Sequence, residues 1–473
     1  MKINIILRKE IKTKFKRIIS FLLLLIILSY CLVYANSGPV LWPSFPSSDS
    51  LTIDENCPIE IRNENLVFDL SNSNNEHSDY SLAGNVIAEY EMYNPTDKPL
   101  TVNMAFPFVE RLNQFSEHDV IIKEDNNILP FQVYIGDTVE NYNASFEEID
   151  ENIFDFKEIV KTINYDPYEP VSFKTEEIGK LYKFSVKPKE NSKFEFELNF
   201  QFDSNHTKII TKGDFTRFQR DTDKIKISST IEEFMEFEVY VLGRDIDINT
   251  NEDAKNSFIK TIENKDVKTY LLEYIDIDKF NYNFSDRQLD NMYTEAIDNI
   301  LLYNQGFCSE DLLSDQGYTN RIITLLYNVE FPANSVKNVS VSYNATGTMD
   351  RRDTNKPQYT FKYLLNPAEN WNDFKNLNIK VITPKEAPYI INSSIEFINE
   401  EDNVYTATLQ GLPDNDLSFT LYHKDGISIF DRIIINPYYV YIIGYLLAII
   451  GFVMLIVILV KKAVMLLLKA KNK

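Results

Sequence analysis

In VIAEYEMYNPTDKPLTVNMAFP, residues 86–107, Val86, Ala88, Tyr90 and Met92 alternate with Ile87, Glu89, Glu91 and Tyr93. After the run Asn94–Pro99, a second alternation passes through Leu100, Val102, Met104 and Phe106. A period of two sends successive side chains to opposite faces, so each run reads as a strand with one buried face. The Pro/Asn/Asp stretch between them predicts a hairpin turn. Pro107 predicts the end of the second strand, because proline cannot continue a ladder in the middle of a sheet.

The same pattern recurs along the chain. In VKPKENSKFEFELNF (186–200), Phe194, Phe196, Leu198 and Phe200 alternate with Glu195, Glu197 and Asn199. In VEFPANSVKNVSVSY (329–343), Val339, Val341 and Tyr343 alternate with Ser340 and Ser342. Strands are expected at 323–331, 336–345, 358–365, 377–382, 394–398, 403–409 and 417–422, which is the count of an immunoglobulin-like sandwich. The fold expected is therefore mainly β, with two immunoglobulin-like β-sandwich domains, inserted helices and one C-terminal transmembrane helix.

Two caps mark the helices. Ser285-x-x-Gln288 forms a capping box, with Phe284 and Leu289 spaced for a hydrophobic staple. Leu289, Met292, Tyr293, Ala296, Ile297, Ile300 and Leu301 follow as one apolar stripe, and Gly306 lies past its end. Ser145-x-x-Glu148 opens a second helix, with Phe146, Ile149, Ile153, Phe156 and Val160 on one face.

The two ends differ from the rest. Residues 2–17 hold seven Lys/Arg and one Glu, then an apolar run extends from Ile18 to Val33 and closes at Val33-Tyr34-Ala35. This is the layout of a signal peptide cleaved after Ala35, with an uncleaved anchor as the alternative, since about 16 apolar residues approach the lower limit for spanning a bilayer. Leu28-Ser29-Tyr30-Cys31 approaches a lipoprotein box, but Tyr30 is larger than that box accepts. At the other end Tyr438–Val460 contains no charge, Tyr438, Tyr439 and Tyr441 sit at its start, and Lys461 and Lys462 follow it. That length crosses a bilayer, and flanking lysines stay cytoplasmic, which places the preceding residues outside the cell.

The expected organisation is thus a signal peptide at 1–35 and an N-terminal β-rich domain at 36–245, with a helical insertion near 146–162. A partly helical connector at 246–318 leads to a membrane-proximal sandwich at 319–430. The transmembrane helix at 438–460 and a basic cytoplasmic tail at 461–473 complete the chain.

Residues 36–436 retain 36 basic against 69 acidic side chains, a net of −33. Such a surface repels nucleic acid and anionic lipid, and attracts cations or basic partners. Only Cys57 and Cys308 remain after cleavage, so at most one disulfide can form. The four histidines show no metal spacing, and no G-x-S-x-G elbow or phosphate-binding glycine loop is present. A hydrolase with an unrecognised site ranks below a non-enzymatic binding role.

Three stretches carry candidate sites. Asp245, Asp247 and Asn249 have the one-three-five spacing of a calcium loop, although Thr250 stands where such a loop needs glycine. Ile246 and Ile248 between them suit a strand whose acids face solvent. Trp371, in LLNPAENWNDF, is either an aromatic binding platform or a packing anchor. TGTMDRRDTNKP (346–357) reads as a charged connection between two strands, and Arg351 and Arg352 would be its docking residues.

NSGPVLWPSFPSS, YNPTDKPLTVNMAFPF, PANSVKNVSVSYNATGTMDRR and YTFKYLLNPAENW together resemble a family of uncharacterised exported, membrane-anchored Gram-positive surface proteins. The resemblance implies surface location and a β-rich body, and no activity. The function expected is a membrane-tethered extracellular protein that binds another protein or an envelope polymer. A calcium- or glycan-dependent adhesin is the alternative.

Overall fold

The computed structural model describes residues 40–54, 56–72, 80–139, 154–164, 167–189, 192–274 and 282–432, and much of a helix between 445 and 466. The expected signal peptide, and the first half of the expected helix near 146–162, lie outside these residues.

The architecture is mainly β. One sheet of eight strands runs in the order Ile398–Glu401, Val404–Leu409, Asp373–Ile382, Glu60–Asp69, Ala83–Tyr93, Val336–Thr346, Val120–Glu124, Asn127–Ile128. The layer facing it is split in two. One part orders Leu51–Thr52, Leu100–Arg111, Asn320–Phe331 and Gln132–Thr138. The other is built around Gln358–Leu364 and Leu417–Tyr422. Aromatic rings interlock between the layers, as where Phe68 meets Tyr363 and Phe419, and Phe106 meets Tyr343.

This pairing corrects the expected division of the chain. Residues assigned to separate N-terminal and membrane-proximal domains share one sheet, since Ala83–Tyr93 pairs with Val336–Thr346 and Glu60–Asp69 pairs in parallel with Asp373–Ile382. The strand boundaries expected from alternation match closely, except that 394–398 falls between Tyr389–Ser393 and Ile398–Glu401. Alternation reports which face is buried and is silent on the partner strand.

The opening motif is not a hairpin. Ala83–Tyr93 lies in the eight-stranded sheet and Leu100–Arg111 in the opposite layer, so residues 94–99 arch between sheets. Both strands keep their alternation because their apolar faces meet across the core. Asn94 is fully buried and pins the arch, its side-chain amide donating to the carbonyls of Lys98, Phe331 and Pro332 at 2.8, 3.2 and 3.1 Å. Nor does Pro107 end its strand, which continues to Arg111. Leu51–Thr52 covers that edge only at Ala105 and Met104, and an uncovered edge tolerates proline.

Between these segments a second sandwich is inserted. Its five-stranded sheet orders Phe258–Asp266, Ile178–Val186, Met235–Gly243, Thr207–Lys212 and Phe307–Ser309. Its four-stranded sheet orders Arg217–Asp221, Lys224–Ile231, Phe194–Gln201 and Ile248–Thr250. Phe184, Phe196, Leu198, Ile227 and Phe237 fill the space between them. Strands from the expected connector thus belong to this second sandwich.

The helix Asp286–Tyr303 joins the two bodies. Ser285 Oγ caps it by accepting from the Gln288 amide at 3.3 Å, as the capping box requires. The Gln288 side chain does not return to the cap; its Oε1 accepts instead from the Ile135 amide at 3.1 Å. Asp298, fully buried on the same helix, accepts from the amides of Val171 and Ser172 and from the Tyr168 hydroxyl. Cys57 and Cys308 are both buried and unpaired.

Ile449–Leu466 is helical, with none of its described residues buried and a mean hydropathy of 2.6. Among the described residues it is the one helix long and apolar enough to cross a membrane. At 1.5 Å per residue its 18 residues span about 27 Å, close to the hydrocarbon thickness of a bilayer.

Candidate functional site

A cavity of about 380 Å³ opens where the inserted sandwich meets the end of helix Asp286–Tyr303. Phe215, Phe218, Ile227, Phe307 and Leu312 give it an apolar lining, with Arg220, Glu310 and Asp311 as its charged groups. The local sequence positions each of them. Phe218, on the strand Arg217–Asp221 at the edge of its sheet, stacks on the buried Phe307 at 5.1 Å between ring centroids. Phe215 leans on Phe237 at 4.7 Å.

The turn after the helix shapes the other wall. Gly306, at φ +81°, lets its amide reach back to the Leu301 carbonyl at 2.7 Å, which closes the helix end. Two carbonyls just past the helix, those of Asn304 and Gln305, receive Arg220 Nη1 and Nη2 at 2.6 and 3.1 Å. A guanidinium is favourable beside a helix C-terminus, where the backbone dipole is negative. Across the opening, Glu310 accepts from the Gly213 amide at 2.7 Å. Phe218 remains 52% exposed and Leu312 39% exposed, so an incoming apolar group can cover them. No histidine or cysteine lines this space among the described residues, and its hydroxyls are those of Thr211 and Ser309.

A second cluster is sealed from solvent. Between Ser47–Ser48, which pairs with Gln358–Leu364, and Leu51–Thr52, which pairs with Leu100–Arg111, the chain crosses the gap in the split layer. Asp49 and Ser50 occupy the crossing, both buried. Asp49 Oδ1 accepts from the Ser50 amide at 2.7 Å and from the Tyr90 hydroxyl. Ser50 in turn accepts from the Tyr327 hydroxyl and the Trp371 indole, both at 3.1 Å. Glu64 completes the cluster with no exposure at all.

Burial pushes Asp49 up to about 7, against the hydrogen bonds from Tyr90 and Ser50 that lower it. Burial, and then the Asp49 carboxylate, push Glu64 well above the usual carboxylate range. Among the described residues Asp49 Oδ2, both Glu64 oxygens and the hydroxyls of Tyr343 and Tyr363 have no hydrogen-bond partner. Two carboxyls in that setting favour holding a proton between them over carrying two charges. This is chemistry of stability, because no substrate reaches it.

The residues singled out from sequence are not brought together. Trp371 is buried, 5% exposed, with its indole N–H committed to Ser50; it packs the core and presents no platform. Asp245 receives Lys180 and Tyr182, which hold it below the usual carboxylate range against the partial burial that would raise it. Asp247 and Asn249 are exposed on an extended segment, with Asn249 opposite Asn199. No three His, Cys, Asp or Glu among the described residues are placed to hold a metal ion. Arg351 and Arg352 are exposed, but the stretch around them is only partly loop, since Thr348–Asp350 forms a strand. Arg352 forks onto Asp350, its Nε at 3.0 and 3.1 Å from the two carboxylate oxygens.

The cavity residues escape sequence reading because they come from three separate segments, and the one local signal nearby is Gly306 at the helix end. The Asp49–Glu64 pair escapes because Ser-Ser-Asp-Ser reads as a polar loop.

No protein family and no curated protein matches this sequence. Among solved structures, the chain is similar to a Legionella pneumophila crystal structure described provisionally as a nutrient binding protein. The identity is 10%, the TM-score 0.34, and the alignment covers 81% of this chain and 73% of that one. A likeness of that size decides neither fold nor ligand.

Proposed function

We propose that the chain is a single-pass membrane protein that holds its β-rich body outside the cell and binds an envelope protein or polymer through the Phe215–Phe218–Phe307 cavity. The observation that carries this reading is the cavity itself: about 380 Å³ and largely apolar, with Arg220, Glu310 and Asp311 as its charged groups. Concave, mostly apolar spaces with a few placed polar groups are where ligands bury most of their surface. The ligand's anchoring group is aromatic or branched, matching the exposed faces of Phe218 and Leu312. The lysines after the apolar helix and the basic, apolar start of the chain support the outward orientation.

Saturation-transfer NMR on the full chain in detergent micelles tests this, with benzylamine and phenylacetate as probes. Phe218→Ala and Leu312→Asp alter exposed positions and leave the fold intact, and each is expected to weaken probe binding about fivefold or more. Equal signals from wild type and both variants overturn the assignment.

A further inference from the structure

The turn that precedes the membrane helix is pinned to the loop 351–357. The Asn355 amide donates to the Asp431 carbonyl at 2.7 Å, and its side-chain amide donates to the Phe430 carbonyl at 3.2 Å. The Asp431 carboxylate accepts from Lys424 at 2.8 Å and from the Ser428 amide at 2.9 Å. These bonds hold Asp431 well below the usual carboxylate range. The turn is therefore fixed, yet it projects Ile429 at 82% exposure and Phe430 at 77%.

Around these two side chains the charge differs from the rest of the body. The segments 350–357 and 423–432 carry Arg351, Arg352, Lys356, Lys424 and Arg432 against Asp350, Asp353, Asp425 and Asp431. Arg352 pairs with Asp350 and Lys424 with Asp431. Among the described residues Arg351, Lys356 and Arg432 are in no ion pair, and all three are exposed. Basic residues thus outnumber acidic ones here, although residues 36–436 as a whole stand at −33.

We propose that Ile429, Phe430, Arg351 and Lys356 form a platform that rests on the bilayer surface, with the two apolar side chains in the interface and the two bases on anionic phospholipid headgroups. The inference rests on the apolar helix being a membrane anchor. Chain length gives the platform its partner. Only residues 433–437, themselves uncharged, separate Arg432 from the expected membrane-spanning stretch that starts at Tyr438. At about 3.5 Å per residue the turn stays within about 20 Å of the bilayer. Exposed apolar side chains flanked by bases are the chemistry of an interfacial contact with anionic lipid.

The test uses the full chain with Trp42→Phe, in nanodiscs rich in phosphatidylglycerol and containing brominated lipid. Phe430→Trp reports the platform and Tyr445→Trp reports the anchor; Trp371, buried, is a constant background. Both new tryptophans are expected to lose about twofold or more of their emission. Arg351→Glu with Lys356→Glu, or a change to neutral phosphatidylcholine, should restore Phe430→Trp and leave Tyr445→Trp quenched. Ile429→Trp repeats the reading if Phe430→Trp disturbs the turn. Quenching at 445 without quenching at 429 or 430 overturns the platform and keeps the anchor, and it is the result expected if the turn serves a protein instead. No quenching at either place overturns the anchor and the platform with it. Quenching at 430 that ignores both lipid charge and the double substitution overturns the role of the two bases.

Discussion

Glu64 is buried by a bulge. In Glu60–Asp69 the register shifts between Ile61 and Asn63, so the buried set passes from odd positions, Ile59 and Ile61, to even ones, Glu64, Leu66 and Phe68. Strict alternation from Ile61 would have turned Glu64 to solvent. Both Asp49 and Glu64 are raised in the folded chain and ordinary in the unfolded one, so the folded state binds the extra protons. Their contribution to stability is complete below the ordinary carboxylate range, near pH 4; that of Asp49 is lost as pH rises through about 7, and that of Glu64 as pH rises well above the ordinary range. For Asp49 the loss is on the order of 4 kcal/mol. The groups facing the pair are the tyrosines 90, 327, 343 and 363, with no cation among them, so nothing nearby reverses the sign. Thermal melts of the full chain in detergent should therefore show the melting temperature falling from pH 5 to pH 8. Asp49→Asn with Glu64→Gln should flatten that slope. An unchanged slope in the double variant would show that the pair titrates normally.

Among elements, the close approach at Gly179 shows how tightly the inserted sandwich is fitted. A Cβ at Gly179 would stand 2.5 Å from the Tyr240 ring, which is stacked on Tyr270 at 4.0 Å and donates its hydroxyl to the Lys265 carbonyl at 2.8 Å. Gly179→Ala is expected to cost about 1–3 kcal/mol, because neither ring can give way without breaking its contacts. Gly411→Ala, whose Cβ would meet only ordinary contacts at 3.6 and 3.7 Å, is the control and should melt like wild type. If the two variants melt alike, the fit at Tyr240 is looser than its geometry. The arch at 94–99 carries the same lesson. Its residues are turn formers, and their identity does not say whether the strands they join are neighbours in one sheet or face each other across a core about 10 Å thick.

At the scale of the molecule, the long pairing between Ala83–Tyr93 and Val336–Thr346 makes residues 40–138 and 319–432 one body, closed around an insertion. Residues 319–430 alone would expose the edges of Val336–Thr346 and Asp373–Ile382 and the apolar faces of Phe361, Tyr363 and Phe419. That fragment should not fold, giving collapsed, poorly dispersed amide signals by NMR, whereas the full chain should unfold cooperatively. A well-dispersed spectrum from 319–430 would restore an independent membrane-proximal domain.

Read alone, the residues set the class of this protein. Period-two patterns located the strands at 83–111 and 194–201 and most of those from 320 to 422, but not Glu60–Asp69, Ile178–Val186, Lys224–Ile231, Met235–Gly243 or Phe258–Asp266. Ser285 and Gly306 marked a helix start and end, and an uncharged run with lysines after it marked the helix that can cross a membrane. These signals are local, since each depends on neighbours within a few positions and on the face that must leave water. The tertiary structure alone decided which strands pair, that one body is interrupted by another, that Trp371 is core, and that the cavity and the Asp49–Glu64 pair exist. Those features join residues up to some three hundred positions apart, as Trp371 joins Ser50. Alternation identifies a buried face, but the partner of that face is chosen by the packing of the whole chain. The loop at 351–357 shows both sides. Its charges and turn residues were legible, while the turn at 428–431 that it holds in place was visible only once the chain had folded.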